Sequence, residues 1–360
     1  MNAWAEIDLS ALRENLALMR GRVAPAELLA VVKDDAYGHG LDEVTHALAG
    51  AGVTAYGALD PRTALRVRQL APHATVFAWL LDSADDLAQL VDADIELGVT
   101  DPHTLERLAA LDRRALVHLK FDSGLSRAGI RSEQWGEFVA RAAELERAGA
   151  VRVVGVWTHI SEASDSEDTA SITLFTAAVG DAIAAGLTPS VRHLAASAAA
   201  FARADARFDR VRVGAFLYGI APGDGLGPGD LGLRPVMTLR TTVTAVDERT
   251  ATIDYGGAAG LLADAAGTVR VAVGGVRHPI VEVHDTHSII AIGTTIGTGA
   301  GVSGDTGVGA TTVSVGDIAT LFGSGDSGEQ SLQEWADAMG TIGEELVTRV
   351  HPAVERRYQN

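Results

Sequence analysis

The 360-residue sequence has no cysteine, which excludes disulfides and thiolate-ligated metals and suits a reducing compartment. Basic residues are in short supply, 29 Lys and Arg against 47 Asp and Glu, for a net charge of −18. That balance argues against nucleic acid and anionic membranes as partners and otherwise describes a solvated acidic surface. No run approaches the roughly 18 uncharged apolar residues of a membrane span. The first nine residues carry Glu6 and Asp8 and lack the basic-then-apolar layout of a signal peptide, so a cytoplasmic protein is expected. Internal repeats are lacking too. What the chain does have is 47% hydrophobic residues, ample for one large domain plus a smaller one.

Residues 3–9 alternate like a strand, and Ser10 is a plausible N-cap for a helix over 11–19. From residue 28 to 213, short apolar runs alternate with helical stretches, the runs falling at 28–32, 53–58, 74–81, 94–98, 115–121, 153–157, 191–194 and 211–213. Such alternation predicts a parallel sheet, and about eight units fit an N-terminal (β/α)8 barrel. Active sites of that fold lie at the carboxyl ends of the strands, and Lys33, His159, Ser197 and Arg212 all fall at or just after predicted ends. Residues 221–233 read as a Gly/Pro/Asp-rich linker. Beyond it, β-branched runs at 238–246, 250–255, 269–273, 280–283, 289–292, 311–313 and 318–322 predict a C-terminal, mostly antiparallel β-domain. Residues 297–309 read as a surface loop, Ser331 with Glu334 as a capping box, and 340–346 as the start of a helix. The expected fold is α/β, with the barrel over 10–225 and the β-domain over 226–360 plus 1–9.

Lys33 ends a buried apolar run. A lysine there is costly unless it is paired, shifted in pKa, used covalently, or able to snorkel out. Arg127, on the loop after 115–121, has the geometry to fork onto a carboxylate or to sit on the surface. His159 alone reads as structural or as a site residue. Gly214 lets backbone N–H groups come close to a phosphate.

The segment Val31-Val32-Lys33-Asp34-Asp35-Ala36-Tyr37-Gly38-His39-Gly40 resembles the pyridoxal phosphate (PLP) lysine motif of the bacterial alanine racemase family. Residues 120–129, 156–159, 193–199 and 211–219 resemble four further motifs of that family. The resemblance implies a (β/α)8 PLP enzyme working on a small amino acid as a homodimer with shared active sites. It implies Lys33 as the lysine that carries PLP; Tyr37, Ser197, Gly214 and Ala215 at the phosphate; Arg212 at the pyridine nitrogen; and His159 at the ring. It places Arg127 beside the substrate carboxylate, oriented by Lys120, which is carbamylated in many members. A guanidinium stays protonated, so Arg212 would make the cofactor a weak electron sink, which suits brief carbanions.

The resemblance frays in the β-domain. Racemisation needs a proton carrier on each face of the cofactor; in the family these are the lysine and a tyrosine donated across the dimer. Tyr255, in Ile253-Asp254-Tyr255-Gly256, is one candidate. In a rival gapless register over 249–279, Tyr255 is a plain strand residue and the tyrosine's segment is deleted. The family's substrate-side Cys-Met-Asp-Gln corresponds to Asp285-Thr286-His287-Ser288, making Thr286 and His287 candidate substrate contacts. Ala196 stands for a family asparagine and Glu344 for a phosphate-binding tyrosine. No metal site is expected. The leading expectation is a PLP-dependent amino-acid racemase; the alternatives are a PLP-dependent retro-aldolase acting on β-hydroxy amino acids and a non-catalytic PLP-binding protein.

Overall fold

The computed structural model describes residues 2–223, 225–293 and 312–360. They divide into two compact units, one of residues 16–36 and 41–217, the other of 2–15, 37–40 and the described residues from 218 onward. The expected loop at 297–309 lies outside the described residues. Among those described, no helix is long and apolar enough to cross a membrane.

Strand β1 (Trp4–Asp8) belongs to the second unit. The helix after it, Leu9–Val23, is capped by Asp8 rather than Ser10: Asp8 Oδ1 accepts the Ala11 N–H at 2.9 Å and the Ser10 hydroxyl at 2.6 Å. A carboxylate takes both donors at once, so the serine serves the cap instead of being it.

The barrel is built from β2 (Glu27–Val31), β3 (Ala55–Leu59), β4 (Thr75–Ala78), β5 (Glu96–Val99), β6 (Ala115–Lys120), β7 (Val151–Trp157), β8 (Val191–His193) and β9 (Arg210–Val213). Each pairs in parallel with the next, and β9 pairs with β2 to close the ring, Leu29 opposite Arg212. Both faces of these strands are covered, which is why they read as apolar runs rather than alternations. The interior holds an aromatic cluster. Phe77 meets Trp157 edge-on at 5.3 Å, and Trp157 lies flat on His193 at 5.6 Å. Close packing there requires a missing side chain: a Cβ at Gly155 would run into the His118 ring.

The second unit contains β10 (Met237–Val246), β11 (Thr250–Ile253), β12 (Arg270–Val273), β13 (Val276–Val283), β14 (Ser288–Ala291), β15 (Ile318–Gly323), β16 (Gln330–Ser331) and β17 (Glu355–Gln359). With β1 they form a sheet ordered β16-β15-β12-β13-β14-β11-β10-β1-β17. Its pairings are antiparallel except β1–β17 and β15–β16. Strand β15 also pairs with β10, which closes six of the strands on themselves. The capping box is present, Ser331 and Glu334 each accepting the other's backbone N–H ahead of the helix Leu332–Met339. No strand forms at residues 312–313.

Candidate active site

The Val32 N–H makes a last barrel bond to Gly57 O, and the chain then leaves β2 through a left-handed turn. Asp34, Asp35, Ala36 and Tyr37 have φ of 53°, 55°, 54° and 54°. This conformation costs an L-residue roughly 1–2 kcal/mol, and such strain persists where surroundings over-determine it. Here Ala36 and Tyr37 are buried, and the Asp35 carboxylate accepts the Leu41 N–H at 2.8 Å. Lys33 starts this turn. Its side chain keeps 35% of its exposure, with Nζ 3.6 Å from Asp34 Oδ2.

Arg212, on β9, is buried and held from several sides. Its Nη2 hydrogens are shared among Thr158 O at 2.9 Å, Leu194 O at 3.0 Å and His159 Nδ1 at 3.1 Å, while Nη1 reaches His193 Nδ1 at 3.3 Å. Burial draws the guanidinium down to about 9, which leaves it cationic at neutral pH. His159 follows β7. Burial first, then Arg212, Arg127, Lys120 and Lys33, push its imidazole down to about 2. The ring is therefore neutral. With Nδ1 accepting from Arg212, its one hydrogen sits on Nε2.

Lys120 closes β6, 5% exposed, with Nζ 4.5 Å from the centre of the Trp157 ring. Burial, then Arg212 and Arg127, draw its amine down to about 8, against a pull from Asp122. The unfolded chain, with an ordinary amine near 10.5, binds more protons between those two values. Unmodified Lys120 therefore adds stability as pH rises through that window. Denaturation below and above it should show a rise for the wild type that Lys120→Met lacks. Arg127 lies exposed on the loop after β6, which is shaped by Asp122 Oδ1 accepting the N–H groups of Gly124 at 3.1 Å and Ser126 at 3.0 Å.

Ser197 opens the helix Ser197–Ala202, and its Oγ accepts the Gly214 N–H at 3.0 Å; Ala215 begins the short turn Ala215–Tyr218. Ala196 provides no side-chain cap for that helix. Glu162 takes over, accepting the Ala199 N–H at 2.8 Å from a backbone with φ of 57°. Sequence reasoning missed Glu162, and only the absent asparagine at 196 hinted that a substitute cap was needed.

The remaining candidates lie in the second unit. Tyr37 packs on Tyr218, ring centres 4.8 Å apart. Tyr255 is 2% exposed, and its hydroxyl donates to Ala259 O at 2.9 Å. This tyrosine spends its O–H on a turn of its own chain, and burial raises its pKa, holding it protonated. Thr286 and His287 form the turn between β13 and β14. Thr286 Oγ1 is 3.2 Å from His287 Nδ1, and the His287 ring stacks on His284 at 4.6 Å.

The model of the alanine racemase N-terminal domain matches residues 7–222, and that of the C-terminal domain matches residues 238–358. The chain belongs to the alanine racemase family. The alanine racemase of Thermobifida fusca is 36% identical, over 99% of this chain and 98% of its own; that of Beutenbergia cavernae is 38% identical, over 98% and 97%. Among solved structures, the alanine racemase of Streptomyces coelicolor superposes with a TM-score of 0.91 at 32% identity, covering 100% of this chain and 98% of that one. The chain is a PLP-dependent amino-acid racemase. Neither the retro-aldolase nor the non-catalytic alternative has a counterpart in these full-length relatives.

The residues present fit that cofactor. Lys33, Lys120, Arg127 and Arg212 all bear on His159 as cations, so this end of the barrel favours an anionic guest. Ser197 Oγ and the Gly214 N–H sit together, as a phosphate requires, and the Lys33 amine is accessible. When bound, PLP supplies the electron sink that makes an amino-acid Cα–H acidic.

Proposed function

We propose that the enzyme racemises alanine or a similarly small amino acid, with Lys33 carrying PLP and moving the proton at Cα on one face. The observation that carries this reading is the cationic cluster about Lys33 at the carboxyl ends of the strands. In it, Ser197, Gly214 and Ala215 hold the phosphate, a role the family resemblance gives also to Tyr37. Arg212 presents a fixed positive charge to the pyridine nitrogen and delivers no proton. Neutral His159 lies against the ring with its Nε2 hydrogen available as a donor. Arg127 binds the substrate carboxylate as a guanidinium fork, steadied by Lys120, whose carbamylation would exchange its positive charge for a negative one and leave the cationic cluster to Lys33, Arg127 and Arg212.

The second face needs its own proton carrier. Tyr255 is a poor candidate, since its buried hydroxyl already serves Ala259. We assign the task to His287, with Thr286 as its hydrogen-bonding neighbour, delivered in a homodimer by the partner's β13–β14 turn. An imidazole has one nitrogen that can give a proton and one that can take it.

The test is racemisation of L- and D-alanine by the wild type and two variants. Tyr255→Phe should leave kcat within about twofold and cost about 1–2 kcal/mol of stability, the worth of one buried hydrogen bond. His287→Asn should lower kcat by about 10²-fold or more, the scale of a general acid/base. A Tyr255→Phe enzyme that folds and is inactive returns the role to Tyr255. Cleavage of threonine or phenylserine to glycine and aldehyde, without racemisation of alanine, sinks the reading as a whole.

A further inference from the structure

Inside the barrel, a single file of buried polar groups leads away from Arg212. Its Nη1 meets His193 Nδ1 at 3.3 Å, His193 Nε2 meets His118 Nδ1 at 2.9 Å, and His118 Nε2 meets Glu96 Oε2 at 2.9 Å. Both imidazoles are 0% exposed. Glu96 is the first residue of β5, at the opposite end of the strands from Lys33 and Lys120. The same Glu96 oxygen accepts from Arg210 Nη1 at 3.2 Å, and Arg210 Nε donates to Glu27 Oε2 at 2.7 Å. None of these five residues beyond Arg212 touches the reaction in the account above.

The ends of the file decide its direction. Arginine only donates and an ionised carboxylate only accepts. The nitrogen of His193 that faces Arg212 must therefore be bare, so its hydrogen is on Nε2 and goes to His118. The nitrogen of His118 that receives it must also be bare, so its hydrogen is on Nε2 and goes to Glu96. Burial keeps both rings neutral, with Glu96 opposing the shift at His118 and the neighbouring His118 ring, Arg212 and Arg210 adding to it at His193. Burial works against the charge on Glu96, but His118 and Arg210 outweigh it and hold the carboxyl below its usual range.

The packing is built to this file. Trp157 lies within 8° of parallel to His193 and fixes the plane of that ring. Gly155 leaves room for the His118 ring, since a Cβ there would overlap Nδ1, the atom that links the two histidines. If His193 carried its hydrogen on Nδ1, two donors would face each other and Arg212 would have to move.

We propose that Glu96, His118 and His193 are positioning residues for Arg212: the carboxylate at the amino end of β5 fixes the tautomers of two imidazoles so that a bare nitrogen receives the guanidinium. The consequence for the cofactor rests on Arg212 as the partner of the pyridine nitrogen; the file of tautomers does not.

The two parts are separable by experiment. In holoenzyme labelled with ¹⁵N-histidine, long-range ¹H–¹⁵N spectra should show His118 and His193 both protonated at Nε2 and unchanged across the neutral range. Glu96→Leu removes the terminal acceptor and should release the His118 hydrogen from Nε2, displace the cofactor absorption band and lower kcat with little change in KM. Glu96→Gln keeps an acceptor oxygen and should restore the wild-type pattern. Because Glu96→Leu also strands one link of Arg210 and has a folding risk, His118→Phe provides an independent break that leaves the Glu96–Arg210 pair in place. A wild-type His118 or His193 protonated at Nδ1, or a His118 still held in the Nε2–H form in Glu96→Leu, overturns the proposal. A changed tautomer with an unchanged cofactor band supports the file and overturns instead the assignment of Arg212 to the pyridine nitrogen.

Discussion

Lys33→Ala is expected to give a folded protein that releases PLP on dialysis and has lost racemisation by at least about 10³-fold, since covalent attachment and one proton carrier go together. The fold should survive because the Lys33 side chain is part-exposed and its pairing with Asp34 is long, and such pairs are worth about 0–1 kcal/mol. Borohydride treatment of the wild type should fix PLP to the peptide containing Lys33, and the thermal midpoint of the variant without cofactor should match that of the wild type without cofactor. A variant that still binds PLP irreversibly after borohydride would place the reactive amine elsewhere; Lys120 is the other lysine at this end of the barrel.

Arg212→Glu should fail in two separable ways. Structurally, it sets a carboxylate against the Thr158 and Leu194 carbonyl oxygens and the bare nitrogen of His193, all of which now receive hydrogens. Breaking a buried, fully bonded charge costs about 3–5 kcal/mol, visible as a lower denaturation midpoint. Chemically, a carboxylate at the pyridine nitrogen allows that nitrogen to hold a proton. With Arg212 as the partner of that nitrogen, the substitution would strengthen the electron sink, and racemisation should fall about 10²-fold while keto acid accumulates from a transamination side reaction. Arg212→Lys keeps the charge but loses the fork, and should lower activity without the side product. A folded Arg212→Glu enzyme with unaltered products would remove Arg212 from the cofactor.

The family and the barrel are legible in the sequence alone. The lysine segment is contiguous because its residues act within one strand and one turn, and the barrel strands show as apolar runs because both their faces are covered. What stayed hidden is what barrel closure creates. Glu96 and His118 are 22 positions apart and His118 and His193 are 75 apart, on strands whose joint function no spacing reveals. Strand β17 was missed for a different reason: Glu355-Arg356-Arg357-Tyr358-Gln359 is largely exposed and has no apolar alternation. The double reading of Tyr255 came from a local ambiguity. A tyrosine ending a strand looks the same whether its hydroxyl points outward or turns back to a carbonyl four residues on, and only the conformation of residues 255–259 separates the two.

Strand β1 carries a consequence for the order in which the molecule is made. Trp4 pairs with Arg240 on one side and Glu355 on the other. At a synthesis rate of about 5–20 residues per second, β1 waits roughly 10–50 s for its first partner and longer for its second. During that interval every barrel strand emerges from the ribosome and can close its ring, while the earliest strand of the chain stays unpaired with both edges open. Open edges invite wrong partners, and Glu6 and Asp8 act as charged guards on this one. The last five-residue strand to be translated completes a sheet begun by the first, so an interrupted or truncated chain keeps a barrel but leaves its opening residues without their neighbours.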